Sequence, residues 1–396
     1  MNYESLINPV VMKTPPSGIR KYFDIASKME DCISLGVGEP DFITPWYIRE
    51  VAIDSIRQGN TCYTSNSGLD DLRSAISDYY QQRYHVQYEL PQILVTVGAS
   101  EALDLAFRTI ISPGDEIILP DPGYVSYRPG ICLAGGIPVT IPLKAETEFR
   151  LQAEDVRAAI TPKTKALILP YPNNPTGAIM TKKELEAIAD VLRGTSILVI
   201  SDEIYSELYY ANEPFCSFAS LPDMYERTIT INGFSKAFAM TGWRLGYAMA
   251  PLPLIQQILK VHQLTMLCAA HVSQDAGVAA LRGGLADGFS EVKKMLRDYN
   301  RRRRYLVSAL NKMGLTCFEP LGAFYVFPSI QSTGMTSDAF CEALLYGQRV
   351  AIVPGTAFGD SGEGFIRISY AYSMAHLTEA MERIQAFLNE LPTAST

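Results

Sequence analysis

Residues 228–244 read TITINGFSKAFAMTGWR: a short apolar run, Thr228-Ile229-Thr230-Ile231, opens into Asn232-Gly233-Phe234-Ser235-Lys236, and Arg244 follows eight residues after the lysine. The apolar run is a strand candidate. Apolar neighbours lower the proton affinity of Lys236 and make it a nucleophilic amine. Ser235 and Arg244 can bring a hydroxyl and a bidentate cation to one phosphate.

Working outward, apolar runs alternate with helical patterns, the signature of an α/β sheet. Strands are predicted over 93–97, 116–120, 166–170, 197–201, 228–231 and 245–250. Leu69, Leu72, Ile76 and Tyr80 repeat at helical spacing within 68–84, and Thr181-Lys182-Lys183-Glu184 is a capping box opening a helix through 193. The Pro/Gly-rich stretch 120–136 reads as loops around the sheet.

The strand ends carry the chemistry. They deliver Gly98-Ala99-Ser100, Asp121-Pro122-Gly123-Tyr124, Asn173-Asn174-Pro175-Thr176-Gly177, Asp202-Glu203-Ile204-Tyr205 and Ser235-Lys236. Ligands of open α/β sheets bind beyond the carboxyl ends of strands, so these turns point to one shared site. Gly98-Ala99-Ser100 ahead of a helix offers bare amides to a phosphate. Asp202, ending an apolar strand, is a costly buried carboxylate unless a cation pairs with it. An amine, a carboxylate, an aromatic face at Tyr124 and a phosphate seat together fit pyridoxal phosphate.

Composition excludes several other classes. The 396 residues are 47% hydrophobic and 19% charged, and the net charge of −8 argues against nucleic acid as the main partner. The run Arg301-Arg302-Arg303-Arg304 sits in a helical pattern (Val292, Leu296, Tyr299, Arg303, Leu306, Leu310) and reads as a solvated face. Seven scattered cysteines fit reduced, mostly buried thiols in a cytoplasmic protein, and four histidines without an H-E-x-x-H pattern predict no metal. No apolar run is long enough to span a membrane, and the start lacks the pattern of a signal peptide. There is no G-x-x-x-x-G-K-[ST] loop, and Gly36-Val37-Gly38 lacks the third glycine of a dinucleotide fingerprint. Gly233-Phe234-Ser235-Lys236-Ala237 falls one glycine short of a serine-hydrolase elbow.

With these residues in place, the chain resembles the fold-type I, class I/II aminotransferases end to end, close to the bacterial aromatic and N-acetyl-diaminopimelate aminotransferase subgroup. The matching motifs are Leu35-Gly36-Val37-Gly38-Glu39-Pro40-Asp41-Phe42, Tyr63 through Arg73, Gly98-Ala99-Ser100, Asn174-Pro175-Thr176-Gly177, Asp202-Glu203-Ile204-Tyr205, Ser235-Lys236 with Arg244, and Phe365-Ile366-Arg367-Ile368-Ser369, in the family's order. The resemblance implies a mixed, mostly parallel seven-stranded sheet sandwiched by helices, with a smaller α+β domain. Residues 1–45 would form an arm and part of the small domain, 46–285 the large cofactor domain, and 286–396 the rest of the small domain.

It also implies roles. Lys236 would form the internal aldimine with pyridoxal 5′-phosphate and move the Cα proton. Asp202 would hold the ring nitrogen's proton, Tyr205 and Asn174 would bond the ring oxygen, and Tyr124 would stack on the ring. Ala99, Ser100, Ser235, Arg244 and Tyr63 would hold the phosphate, Tyr63 reaching across a homodimer. Arg367, Gly38 and Asn174 would clamp the substrate α-carboxylate. Many members carry a hydroxyl residue at the position of Gly233, so one phosphate contact is altered. The implied reaction is ping-pong transfer of an amino group from an aromatic or acidic L-amino acid to a 2-oxo acid such as 2-oxoglutarate. The alternative is a β-lyase of sulfur amino acids sharing the cofactor. Arg20 and Arg128 are candidates for a distal substrate carboxylate. A transcription regulator with an aminotransferase-like domain would need a DNA-binding module ahead of Gly38.

Overall fold

The computed structural model describes residues 1, 3–16, 18 and 25–391; Arg20 lies outside them. Its centre is a seven-stranded sheet built from β1 (Ile93–Thr96), β2 (Glu116–Asp121), β3 (Ile137–Pro142), β4 (Thr164–Leu169), β5 (Leu198–Asp202), β6 (Thr228–Gly233) and β7 (Gly246–Met249). The spatial order is β1-β7-β6-β5-β4-β2-β3. Only β7 runs against its neighbours; the other pairings are parallel. All six residues of β6 are buried, as expected where apolar clusters cover both faces of a parallel sheet.

Six of these strands follow the apolar runs. The seventh corrects the sequence reading. β3 at Ile137–Pro142 alternates proline with β-branched residues at the sheet edge, with only Ile141 fully buried, so it lacks a continuous apolar run. The stretch 120–136, read as loops, contains a helix over Tyr127–Leu133 that buries Tyr127 and Ile131.

Parallel register brings strand ends to one edge. Asp202 pairs with Ile231 across β5 and β6, which places Asp202 beside the turn leading to Lys236. Gly233 faces Gly246 across β6 and β7. A Cβ on Gly233 would lie 3.0 Å from the Leu245 carbonyl, and one on Gly246 would lie 2.5 Å from the Ala99 amide nitrogen. These glycines let three backbones converge behind the site, which gives Gly233 a packing reason of its own.

Around the sheet, α1 (Asp70–Tyr84), α2 (Ala99–Ile110) and α3 (Lys182–Leu192) follow the predicted helices. α3 opens on the expected capping box, the Thr181 hydroxyl accepting from the Glu184 amide and Glu184 accepting from the Thr181 amide.

A second apolar cluster lies against α4 (Ser290–Lys312) and three short antiparallel strands, Tyr325–Val326, Val353–Pro354 and Ile366–Ser369. Ile33–Ser34 pairs in parallel with Val350–Ala351, tying the N-terminal segment to this part. The arginine run needs correction here. Arg302 and Arg303 are buried on the inner stripe of α4. Arg302 donates to both Asp41 carboxylate oxygens at 2.7 and 2.9 Å, and Arg303 reaches Glu319 at 2.8 Å and the Pro320 carbonyl at 3.0 Å. Asp41 is far away in sequence, and Glu319 and Pro320 come from beyond the end of α4, so the helix's own pattern does not signal the burial. The thiols are corrected too: all seven cysteines are free, but only Cys317 and Cys341 are buried and Cys62 is exposed. Cys132, for example, sits beside the inward-facing Ile131 on its helix.

Candidate active site

A cavity of about 340 Å³ opens at the carboxyl edge of the sheet. Its lining includes Gly38, Ala99, Ser100, Tyr124, Asn174, Asp202, Tyr205, Ser235, Lys236, Arg244 and Arg367, so every candidate for binding cofactor or the substrate α-carboxylate but Tyr63 faces one space. Tyr63 stands outside it, 82% exposed on the surface of this single chain. Arg128 lines a neighbouring cavity with Asp121 and Asp360.

One end of the cavity is built for an anion. α2 starts at Ala99 after Gly98, whose φ of 81° is a glycine conformation. A Cβ on Gly98 would meet the Arg244 guanidinium at 2.6 Å, so the bare backbone lets that cation lie against the helix start. First-turn amides have no intrahelical acceptors, and the helix dipole adds positive potential. Arg244 itself is held at 2.9 Å on the Thr241 carbonyl.

At the centre, the Lys236 ammonium nitrogen lies 2.6 Å from the Gly38 carbonyl oxygen and over the Phe324 ring. Burial pulls its pKa down to about 8; Glu39 opposes the shift, while Arg367 and Arg244 add to it. Asp202 is 6% exposed, and burial pushes its carboxyl up. It accepts from the Tyr127 hydroxyl at 2.7 Å and from the Ile204 amide at 3.3 Å. Among the described residues no cation pairs with it. Among the described residues, then, the cation that the sequence demanded of a buried Asp202 is not another side chain, and its charge is open to a cationic group bound in the cavity.

Opposite the lysine, Arg367 is 1% exposed and its guanidinium is fixed by the Asn174 side-chain oxygen at 2.9 Å and the Gly36 carbonyl at 2.5 Å. It stacks on the Tyr325 and Phe358 rings, with centroids at 4.5 and 4.7 Å. Burial lowers its pKa, and its Nε has no hydrogen-bond partner. A buried arginine with spare donors beside a cavity is set up to receive a carboxylate. Gly38 is needed here, because a Cβ would run into the Tyr325 hydroxyl. That hydroxyl bonds Tyr205 at 2.9 Å.

These groups fit pyridoxal 5′-phosphate: an amine, an acid without a counter-cation, and an anion seat at a helix start. Nothing local in the sequence marks the hydroxyl roles of Tyr127 and Tyr325, because their partners Asp202 and Tyr205 lie far away along the chain. Among the described residues no group of three or more His, Cys, Asp or Glu could hold a metal ion, and no helix is long and apolar enough to cross a membrane.

Residues 30–384 match the family described as aminotransferase class I and II. An aspartate aminotransferase of Pyrococcus abyssi (strain GE5 / Orsay) is 45% identical, covering 95% of this chain and 96% of the relative. Aromatic-amino-acid aminotransferase 2 of Thermococcus litoralis is 43% identical over the same shares of each chain. The crystal structure of an aromatic aminotransferase from Pyrococcus horikoshii OT3 superposes with a TM-score of 0.89 at 43% identity, covering 94% of this chain and 99% of that one.

Proposed function

This chain belongs to the class I and II aminotransferases, and from that premise we propose that it moves the α-amino group of an aromatic or acidic L-amino acid to a 2-oxo acid such as 2-oxoglutarate, in two ping-pong half-reactions that use Lys236. Family members are transaminases that depend on pyridoxal 5′-phosphate. The observation carrying the proposal is the single cavity in which Lys236, Asp202, Arg367, the α2 start and Arg244 converge.

Bound there, the cofactor supplies an electron sink for the pair left when the substrate Cα–H bond breaks. The chain's residues do the rest. The amides of Ala99 and Ser100, with Ser235 and Arg244, bind the phosphate. Asp202, oriented by Tyr127, holds a proton on the ring nitrogen. Tyr124 would offer an aromatic face to the ring, and Tyr205 and Asn174 would serve its oxygen. Arg367 takes the substrate carboxylate in a bidentate grip, with Gly38 and Asn174 lining the same end, and this orients Cα–H toward the lysine. Lys236, whose pKa burial lowers to about 8, would be the base that takes the Cα proton.

Two features bear on the donor. Tyr124, Tyr127, Tyr205 and Tyr325 put aromatic faces around the cavity, and relatives are named aspartate and aromatic aminotransferases. In this proposal residues 46–285 form the cofactor domain, and 1–45 with 286–396 a smaller unit that closes over substrate to exclude water. The exposed Tyr63 serves the neighbouring site of a homodimer. Turnover of a donor panel with 2-oxoglutarate tests the substrate class: kcat/KM is highest for phenylalanine, tyrosine or aspartate. Preference for alanine alone contradicts it. Solution mass on the same sample should be that of a dimer, and a fully active monomer removes the role given to Tyr63.

A further inference from the structure

Behind the cavity, on the far side of the strand ends, lies a buried polar network that none of the steps above uses. Its hub is Glu203, 1% exposed and adjacent to Asp202 in the chain. The carboxylate accepts from the Ser217 hydroxyl at 2.7 Å, the Ser201 hydroxyl at 2.9 Å and the Tyr80 hydroxyl at 3.1 Å. Among the described residues no cation pairs with it; Arg83 is committed to Glu207 at 2.7 Å.

The network continues from Tyr80. Its hydroxyl accepts from the Asn232 side-chain amide at 2.9 Å, and the same amide donates to the Ser206 hydroxyl at 3.1 Å. The Asn232 side-chain oxygen in turn accepts from the Gly233 amide at 2.7 Å. Glu203 also donates its own amide to the Ile231 carbonyl at 2.8 Å.

The members lie next to the working residues along the chain: Glu203 follows Asp202, Ser206 follows Tyr205, and Asn232-Gly233 ends β6 just before the turn that carries Ser235 and Lys236. None of Glu203, Tyr80, Asn232 or Ser206 lines the cavity. All four are buried. Buried hydrogen-bond networks with every member satisfied hold a unique geometry, and loss of one acceptor leaves donors unpaired.

We propose that Glu203 is a positioning residue: through Tyr80 and Asn232 it fixes the strand end bearing Asp202 against the turn bearing Lys236. This rests on the reading of Lys236 and Asp202 as cofactor-binding groups. Glu203 orders the scaffold on which acid and amine face each other and makes no contact with the substrate.

The test uses protein loaded with pyridoxal 5′-phosphate and two variants, Glu203→Gln and Tyr80→Phe. Glutamine keeps the shape but turns one acceptor into a donor, and phenylalanine removes the hydroxyl linking Glu203 to Asn232 while sparing the carboxylate. The readouts are the pH midpoint of the visible absorbance of the lysine-bound cofactor, and kcat against KM. In both variants the midpoint moves, by about half a pH unit or more in Glu203→Gln. There kcat falls roughly 3- to 10-fold while KM stays within about twofold. If Glu203→Gln does not fold, Tyr80→Phe decides alone. A merely structural strut would lower the melting temperature and leave midpoint and kcat at wild-type values, and that result overturns the inference. Wild-type protein that forms no lysine-bound chromophore overturns the site reading, and the inference with it.

Discussion

Lys236→Ala reduces turnover by at least about 10⁴-fold, with the variant folded and still able to take up pyridoxal phosphate without a covalent link. Two functions vanish together. In the proposed reaction the side chain is the nucleophile that captures the cofactor, and its amine, whose pKa burial, Arg367 and Arg244 bring to about 8, is the base that moves a proton. A general base alone is worth roughly 10²–10⁴ in rate, and loss of the covalent attachment adds to that. Little else changes. Among the described residues Lys236 donates one hydrogen bond, to the Gly38 carbonyl, and Ser235 and Arg244, the proposed phosphate ligands, remain in place. The check is single-turnover kinetics on cofactor-loaded variant. Wild-type rates would remove Lys236 from the mechanism.

Arg367→Ala lowers kcat/KM for every amino-acid donor by about thirty- to several-thousand-fold, corresponding to ~2–5 kcal/mol for truncating one partner of a buried, hydrogen-bonded charge pair. The guanidinium is already fixed before substrate arrives, by Asn174 and the Gly36 carbonyl and between the Tyr325 and Phe358 rings. Removing it leaves the substrate carboxylate without its bidentate partner and two acceptors without a donor. Arg367→Lys recovers little, because an ammonium cannot reproduce the planar fork. The discriminating control is a primary amine lacking the α-carboxylate. Its already slow reaction is no further impaired in Arg367→Ala. An equal loss for both substrates would mean that the variant has damaged the site as a whole.

The site was legible from sequence to the extent that its residues sit directly after strands. Ala99, Asn174, Asp202 and Ser235-Lys236 each follow an apolar run, and parallel register carries those ends to one edge without further information. What the sequence does not encode locally is pairing. The Tyr127 hydroxyl on Asp202 spans 75 residues, and the Tyr79 and Tyr80 hydroxyls reach Glu207 and Glu203 across more than a hundred. The same limit hid the burial of Arg302 and Arg303, whose partners Asp41 and Glu319 come from other elements. The edge strand at Ile137–Pro142 was missed for a different reason. Its prolines and half-exposed face remove the apolar run by which the other six declare themselves. At Gly233, a position that looks like a lost phosphate contact is also where β6 packs on Leu245 and Gly246 of the neighbouring chain segment.

The most direct measurement of the central claim is the visible spectrum of the cofactor-loaded protein during titration with one amino acid and no 2-oxo acid. The account predicts a yellow protein that bleaches as the amino group passes to the cofactor, with stoichiometric release of the donor's 2-oxo acid, and that regains its colour when 2-oxoglutarate is added. Release of ammonia and a 2-oxo acid without bleaching would contradict it and mark a lyase.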